Sequence, residues 1–207
     1  MDRYIAIIGD IEASKELDKS TRAQTQEVLD RLFKEKVTKD EGVVSPYTLT
    51  LGDEFQALYD RADYLFHHIW TVAAAIYPVM VRWSIGSGDI DTKINRERSV
   101  GMDGPAFHKA RNGMEQLKKE QQLFRIETGD ELYDSIANSS LKLLTASIRS
   151  WKKNRMIILE RLYSGAEVKQ IASELDVSDV AVYKNIHAGN LSAIMEYTEG
   201  LTKLLNR

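Results

Sequence analysis

Residues 47–59 read Tyr-Thr-Leu-Thr-Leu-Gly-Asp-Glu-Phe-Gln-Ala-Leu-Tyr, so two alternating runs flank the Gly-Asp pair at 52–53. Such alternation about a Gly-Asp pair is typical of a β-hairpin. Near the start of the chain, the apolar run at residues 4–8 ends in another Gly-Asp pair, at 9–10, and indicates a buried strand. We expect this strand and the hairpin to be neighbours in one sheet.

The rest of the first 126 residues alternates between helical and strand patterns. Apolar spacing with capping or breaking residues predicts helices at 18–36, 60–76 and 105–120, the first capped by Asp18 or Ser20 and the second by Asp60. Further strands are predicted at 79–85 and 123–126, and residues 39–46 are predicted to be a loop. This order predicts an α+β fold: a ferredoxin-like βαββαβ palm with an antiparallel sheet and helices on one face.

The final third of the chain has helical patterns only. Residues 130–150 are predicted to be helical, and residues 151–207 to form a run of helices. We therefore predict two domains, at 1–148 and 149–207. The second carries nine Lys and Arg against seven Asp and Glu, a net charge of +2, whereas the first has a net charge of −5. Nucleic-acid binding by the second domain is compatible with this charge, which is too small to demonstrate it.

Composition excludes several classes of protein. With 43% hydrophobic and 29% charged residues among 207, the chain is neither disordered nor of low complexity. It contains no cysteine, which excludes a disulfide scaffold, a thiolate metal site and a cysteine nucleophile. The sequence shows neither a signal-peptide pattern nor an apolar window long enough for a membrane span. A cytoplasmic protein without a membrane partner is expected.

Carboxylates follow the first strand and occupy the hairpin turn. If the two elements are neighbours, Asp10 and Asp53 lie side by side at one edge of the sheet. Mg²⁺ prefers oxygen ligands and takes one or two protein carboxylates with water and phosphate. We predict a metal site of Asp10 and Asp53, with the Ile11 carbonyl and Glu54 as further ligands. The alternative is that each aspartate only stabilises its own turn.

Three segments resemble the palm domains of nucleotidyl cyclases and GGDEF proteins: Ile-Gly-Asp-Ile at 8–11, Thr-Leu-Gly-Asp-Glu-Phe at 50–55 and Arg-Trp-Ser-Ile-Gly at 82–86. The chain as a whole resembles the bacterial SatD family. That resemblance rests on Ile-Ile-Gly-Asp-Ile at 7–11 with Ser14-Lys15, Thr-Leu-Gly-Asp-Glu-Phe-Gln at 50–56, and Gly-Met-Asp-Gly-Pro-Ala-Phe-His-Lys-Ala-Arg at 101–111.

A nucleotide site is predicted at the helix start, where the backbone N–H groups of Gly101 and Gly104 could bind phosphate with Arg111 as a charge clamp. Ser14 and Lys15, from the SatD-like motif, are predicted to belong to it, and the resemblance to cyclases implies that Arg111 is the catalytic arginine. The alternative for residues 101–105 is a plain capped turn. Phe107 stands where cyclases have an asparagine four residues before the arginine, and the lysine that cyclases carry before the hairpin is missing.

A pattern near the C-terminus resembles the helix-turn-helix of bacterial regulators. Apolar residues at 171, 172 and 175 indicate a first helix, Asp176 occupies the turn, and Ser178 caps a second helix. The second helix would enter the DNA major groove. The predicted DNA-binding residues of the second helix and its cap are Ser178, Asp179, Ala181, Tyr183, Lys184 and Asn185. On the first helix, Lys169 is predicted to bind DNA as well. The alternative is a module used only for packing or dimerisation.

These patterns together predict a DNA-binding transcriptional regulator with a cyclase-like domain that senses a nucleotide or a divalent metal. The alternative is a Mg²⁺-dependent nucleotidyl or phosphoryl transferase that uses Asp10 and Asp53. A third possibility is an interaction protein with a decayed palm domain. Apolar residues at 191–205 predict a closing helix that either covers the C-terminal core or pairs two subunits of a homodimer.

Overall fold

A computed structural model describes residues 3–37, 40–50 and 53–207. Over these residues the chain is a mixed α+β protein with one five-stranded sheet and eight helices. In chain order the elements are β1 (Tyr4–Ile11), α1 (Lys19–Glu35), β2 (Val43–Leu49), β3 (Glu54–Tyr59), α2 (Leu65–Ile76), β4 (Val81–Gly88), α3 (Pro105–Glu120), β5 (Phe124–Glu127), α4 (Glu131–Arg149), α5 (Lys153–Tyr163), α6 (Val168–Glu174), α7 (Asp179–Gly189) and α8 (Leu191–Leu205).

The strands are ordered β2-β3-β1-β4-β5. The first strand lies antiparallel between β3 and β4, as expected for neighbours of the hairpin, while β5 runs parallel to β4. Gly52, in the predicted hairpin turn, lies outside the described residues.

Helices cover both faces of the sheet, so the expectation of helices on one face is wrong. Ile5 and Ile7 of β1 point into a core formed with α1 and α2. Ala6 and Ile8 point the other way, into a second core formed with α3. Because β1 is apolar on both faces, a helix layer is needed on each side.

Glycines allow α3 to lie very close to the sheet. A Cβ atom added at Gly86 of β4 would overlap the backbone of α3 at Ala106 and Ala110. One added at Gly113 of α3 would overlap the Ser84 hydroxyl of β4. The two glycines therefore determine how near the helix comes to the strand.

Two predicted boundaries are wrong. The second strand already begins at Val43, inside the segment predicted to be a loop. The second helix begins at Leu65 with Tyr64 as its N-cap, so Asp60 does not cap it. The turn before this helix is held instead by the C-terminus, because the Asn206 side chain accepts a 2.7 Å hydrogen bond from the Ala62 N–H.

The C-terminal helices pack on one another and on α2. Asp176 takes the left-handed conformation (φ 51°) between α6 and α7, and Ser178 caps α7 by accepting from the Ala181 N–H, as predicted. The closing helix α8 buries Leu191, Ile194, Leu201 and Leu205 within its own chain, so it covers the core.

The predicted division at residue 148 is crossed by a continuous core. Among the described residues, one cluster of buried apolar side chains extends from the sheet and α2 into α5 and α8. The Tyr77 hydroxyl also donates a 2.5 Å hydrogen bond to the Trp151 carbonyl. The two-domain division stays a prediction.

Candidate functional site

The candidate site lies where β1 ends and β3 begins. Antiparallel pairing places Asp10 of β1 opposite Glu54 of β3 on one side and Arg82 of β4 on the other. The turn before β3 is tied to the same place, because the Ile11 N–H donates a 3.1 Å hydrogen bond to the Asp53 carbonyl. The three predicted carboxylates therefore gather at one end of the sheet.

Asp10 is nearly buried, at 5% exposure, and both of its oxygens face cations. Oδ2 accepts from Arg82 Nη1 at 3.0 Å, and Oδ1 lies 2.9 Å from Lys118 Nζ. In this arrangement the two basic groups compensate the desolvation of the carboxylate.

Glu12 extends the ionic network away from the sheet. Its carboxylate accepts hydrogen bonds from Arg82 at 3.1 Å and from Arg149 at 2.7 and 2.8 Å. The hydrogen bonds from Arg149 are the main cause that holds the pKa of Glu12 below its usual value. This contact links the end of β1 to the last turn of α4.

Asp53 and Glu54 have different surroundings. Asp53 accepts a hydrogen bond from the Ser14 hydroxyl. Burial raises the pKa of Glu54; the charges of Asp10 and Asp53 act in the same direction, while those of Lys118 and Arg111 oppose them. The charge state of Glu54 is therefore coupled to those of Asp10, Asp53, Lys118 and Arg111.

Lys118 and Arg82 were not found by sequence reasoning. The available signal for Lys118 was its spacing from Arg111, because seven residues make two helical turns and place both side chains on one face of α3. Arg82 begins one of the segments that resemble cyclases, but nothing in the sequence of that segment identifies Asp10 as its partner. Their role depends on how α3 and β4 lie against β1.

The predicted metal site can be compared with these contacts. The described residues contain no group of three or more His, Asp or Glu side chains that could hold a metal ion. Two carboxylates with water would suffice for Mg²⁺. However, a divalent ion at Asp10 must compete with Lys118, whose ammonium group already pairs with that carboxylate.

A cavity of about 250 Å³ opens beside the acidic turns. It is lined by Ile11, Ser14, Lys15, Leu17, Arg22, Thr25, Gln26 and Asp53. Two predicted nucleotide residues, Ser14 and Lys15, thus lie together with two predicted metal ligands. The Arg22 guanidinium holds the loop by donating to the Ser14 carbonyl at 2.8 and 3.1 Å.

Gly101 and Gly104 are not part of this cluster. Gly104 is the N-cap of α3 and lies beside the end of β4, whose last residue, Gly88, pairs with Tyr4 at the opposite end of β1 from Asp10. Gly104 instead packs closely on the backbone of residues 89–91. Arg111 lies between the two ends, with its guanidinium 3.4 Å from Asp103. Gly104 is therefore separated from Asp10 by most of the length of a strand.

The predicted DNA-binding residues lie on and beside α7, with differing exposure. Tyr183, Lys184 and Lys169 are exposed, and Asp179 and Ala181 are partly so. Ser178 is exposed but its hydroxyl caps the helix, and the Asn185 amide donates to the Ala181 carbonyl at 3.0 Å. Val180 and His187 are exposed as well and were not among the predicted residues.

The comparisons with known proteins give one positive result. The SatD family model matches residues 4–204, which is nearly the whole chain. A comparison with curated proteins finds no significant match. Among the described helices, none combines the length and apolar character needed to cross a membrane. Because the family match covers both the sheet and the C-terminal helices, the chain belongs to the SatD family.

Proposed function

We propose that this protein is a DNA-binding transcriptional regulator. In this proposal α6 and α7 form a helix-turn-helix, and the N-terminal part is a cyclase-like palm that binds a nucleotide, with a divalent ion, as its signal. The protein acts as a homodimer in the cytoplasm.

The observation that carries the proposal is the way α7 is anchored. Val182 and Gly189 are buried among the C-terminal helices, whereas Val180, Tyr183 and Lys184 are exposed. A helix in a packing module turns its large apolar side chains inward, so an exposed valine and tyrosine beside a lysine favour an outward contact.

The chemistry of this exposed face suits a DNA groove. The methyl groups of Val180 and the ring of Tyr183 can contact thymine methyl groups and base edges. Lys184, and Lys169 on α6, can neutralise backbone phosphates and so position the helix. Asp179, in the first turn of α7, disfavours close approach of a phosphate there, and this restricts how the helix can dock.

The test is fluorescence anisotropy with a DNA site selected from a random pool by the wild-type protein. Lys184→Ala should weaken binding and reduce the slope of log K against log salt concentration by about 0.9, which corresponds to one lost phosphate contact. Lys203→Ala is the matched control, because Lys203 is exposed on α8 and pairs with Glu199 at 2.6 Å. Equal slopes for both variants and the wild type would contradict the placement of α7 on DNA.

A second candidate function is a Mg²⁺-dependent nucleotidyl or phosphoryl transferase. It is favoured by the convergence of Asp10, Asp53 and Glu54 with the Lys118 side chain at one end of the sheet, and the charge of Arg111 also acts on Glu54. The palm itself is supported by the strand-helix-strand-strand-helix-strand order and by the position of β1 between β3 and β4. A bound Mg²⁺ would supply charge neutralisation for phosphate chemistry.

Calorimetric titration of nucleoside triphosphates with Mg²⁺ tests this site without requiring turnover. Asp10→Asn/Asp53→Asn should lose binding, and Glu196→Gln, at an exposed position on α8, should retain it. When Mg²⁺ is titrated without nucleotide, Lys118→Ala should strengthen its binding, because the substitution removes the competing ammonium group. Unchanged binding in the double variant would exclude the acidic turns as the ligand site.

A further inference from the structure

The outward face of α4 is apolar. Leu132, Ile136 and Leu143 are 68%, 58% and 75% exposed, and Tyr133 on the same helix is 39% exposed. Together they are four of the seven large hydrophobic side chains that the described residues leave exposed. The inward face of α4 is fully used, because Ala137, Leu141, Leu144 and Ile148 are buried. The helix therefore has two apolar faces, and this chain covers one of them.

The exposed face is self-complementary when two copies run antiparallel. Exposed small residues alternate with the large ones along the helix, at Ser135, Ser139 and Ala146. If a twofold axis passes at Ser139, Leu132 of one copy lies opposite Ala146 of the other, and Leu143 lies opposite Ser135. Leu132 and Leu143 then meet small side chains, which lets two helices pack closely, and Ile136 lies opposite the half-exposed Lys142, which pairs with Glu120. This match spans 15 residues, or about 21 Å of helix.

The charges at the ends of α4 favour the same orientation. Asp130 and Glu131 are exposed at its start, Arg149 at its end also pairs with Glu12, and Lys152 is exposed just beyond that end. An antiparallel pair brings the acidic end of one helix to the basic end of the other and opposes the two helix dipoles. A parallel pair would place like charges together.

We propose that the outward face of α4 is the contact surface of a homodimer, in which α4 of a second copy packs antiparallel with Ser139 at the twofold axis. One helix stripe buries on the order of a few hundred Å² per copy, below the roughly 800 Å² typical of a stable complex. The dimer is therefore expected to be weak and to depend on protein concentration. This proposal does not depend on DNA binding.

Absence of cysteine from the chain makes a crosslinking test direct. Under oxidising conditions Ser139→Cys should form a disulfide-linked dimer rapidly, because the axis places the two side chains face to face. Ser192→Cys, at an exposed position on α8, is the matched control. If Ser139→Cys crosslinks no faster than Ser192→Cys, the proposed register is wrong.

Sedimentation equilibrium tests the surface without crosslinking. The wild type should show a reversible dimer, and Leu143→Asp should weaken it at least tenfold without loss of fold, because Leu143 is largely exposed in the single chain. Ser192→Asp adds the same charge elsewhere and should leave dimerisation unchanged. A wild type that stays monomeric at about 100 μM, or a dimer that Leu143→Asp does not weaken, would overturn the proposal.

Discussion

Replacing Asp10 by Asn removes the charge at the centre of the ionic network but keeps the shape of the side chain. Asp10 is 5% exposed, and its two oxygens face Arg82 at 3.0 Å and Lys118 at 2.9 Å. We expect Asp10→Asn to lower the free energy of unfolding. If Asp10 is instead held close to Glu54 mainly to bind a ligand, the substitution would remove the repulsion between the two carboxylates and raise the free energy of unfolding.

The magnitude follows from the two contacts. The Arg82 side chain is 14% exposed, so its charge-assisted hydrogen bond contributes about 1.5–2 kcal/mol. The Lys118 side chain is 47% exposed, and solvent screening limits that pair to about 1 kcal/mol at most. Asn can still accept a hydrogen bond from Arg82, and Glu12 still pairs with that guanidinium. The expected loss is therefore smaller than the sum of the two contacts, about 1–2 kcal/mol.

Urea unfolding followed by tryptophan fluorescence measures this change, since Trp83 is buried next to Arg82 on β4. A loss of about 1–2 kcal/mol should lower the midpoint by about 0.5–1 M urea at constant slope. Asp53→Asn is the comparison variant. It weakens the hydrogen bond that the Asp53 carboxylate accepts from the Ser14 hydroxyl, and the free energy of unfolding should fall by about 1 kcal/mol. A midpoint for Asp10→Asn equal to or above that of the wild type would refute the assignment of Asp10 as a paired, stabilising carboxylate.

Three further expectations concern the rest of the fold. Burial lowers the pKa of His68 below 6.5, and this effect outweighs the opposite effect of Asp40. As the pH falls, the unfolded chain therefore binds the proton first, and the free energy of unfolding should fall below pH 6.5. In urea titrations at pH 7.5 and 5.5, His68→Gln should reduce this pH dependence. Asn138→Ala should cost about 2–4 kcal/mol, measured as a lower urea midpoint, because the buried amide accepts from the Ile126 N–H at 2.9 Å and donates to its carbonyl at 2.8 Å; a loss under 1 kcal/mol would contradict this. Gly86→Ala should cost at least about 1–3 kcal/mol by forcing α3 away from the sheet, whereas an unchanged melting temperature would mean that the close approach is not required.

Local features of the fold were predictable because their physical causes lie within a few residues. Asp18 caps α1, Pro105 begins α3, and Ser178 caps α7 as their sequences predict. The left-handed turn at Asp176 was predicted as well. Each depends on a side chain that bonds its own backbone or on a restricted φ angle, and distant parts of the chain change neither.

The composition of the candidate site was only partly predictable. Two Gly-Asp turns on neighbouring strands identify Asp10 and Asp53, because hairpin pairing brings them together in this topology. The cations that neutralise Asp10 could not be found in this way. Lys118 is 108 positions away in sequence, and its contact depends on which face of the sheet α3 covers.

The sequence by itself determined most of the helices and strands and the caps at Asp18 and Ser178, since hydrophobic period and turn chemistry act over a few residues. It did not determine the start of β2 or the cap of α2. Only the tertiary structure decided that α3 lies on the face of the sheet opposite α1 and α2, that Gly104 lies at the far end from Asp10, and that the apolar stripe of α4 stays exposed. The physical reason is that burial and ion pairing depend on which surfaces meet when the chain closes on itself. The residues adjacent in sequence do not determine which distant surfaces pack together.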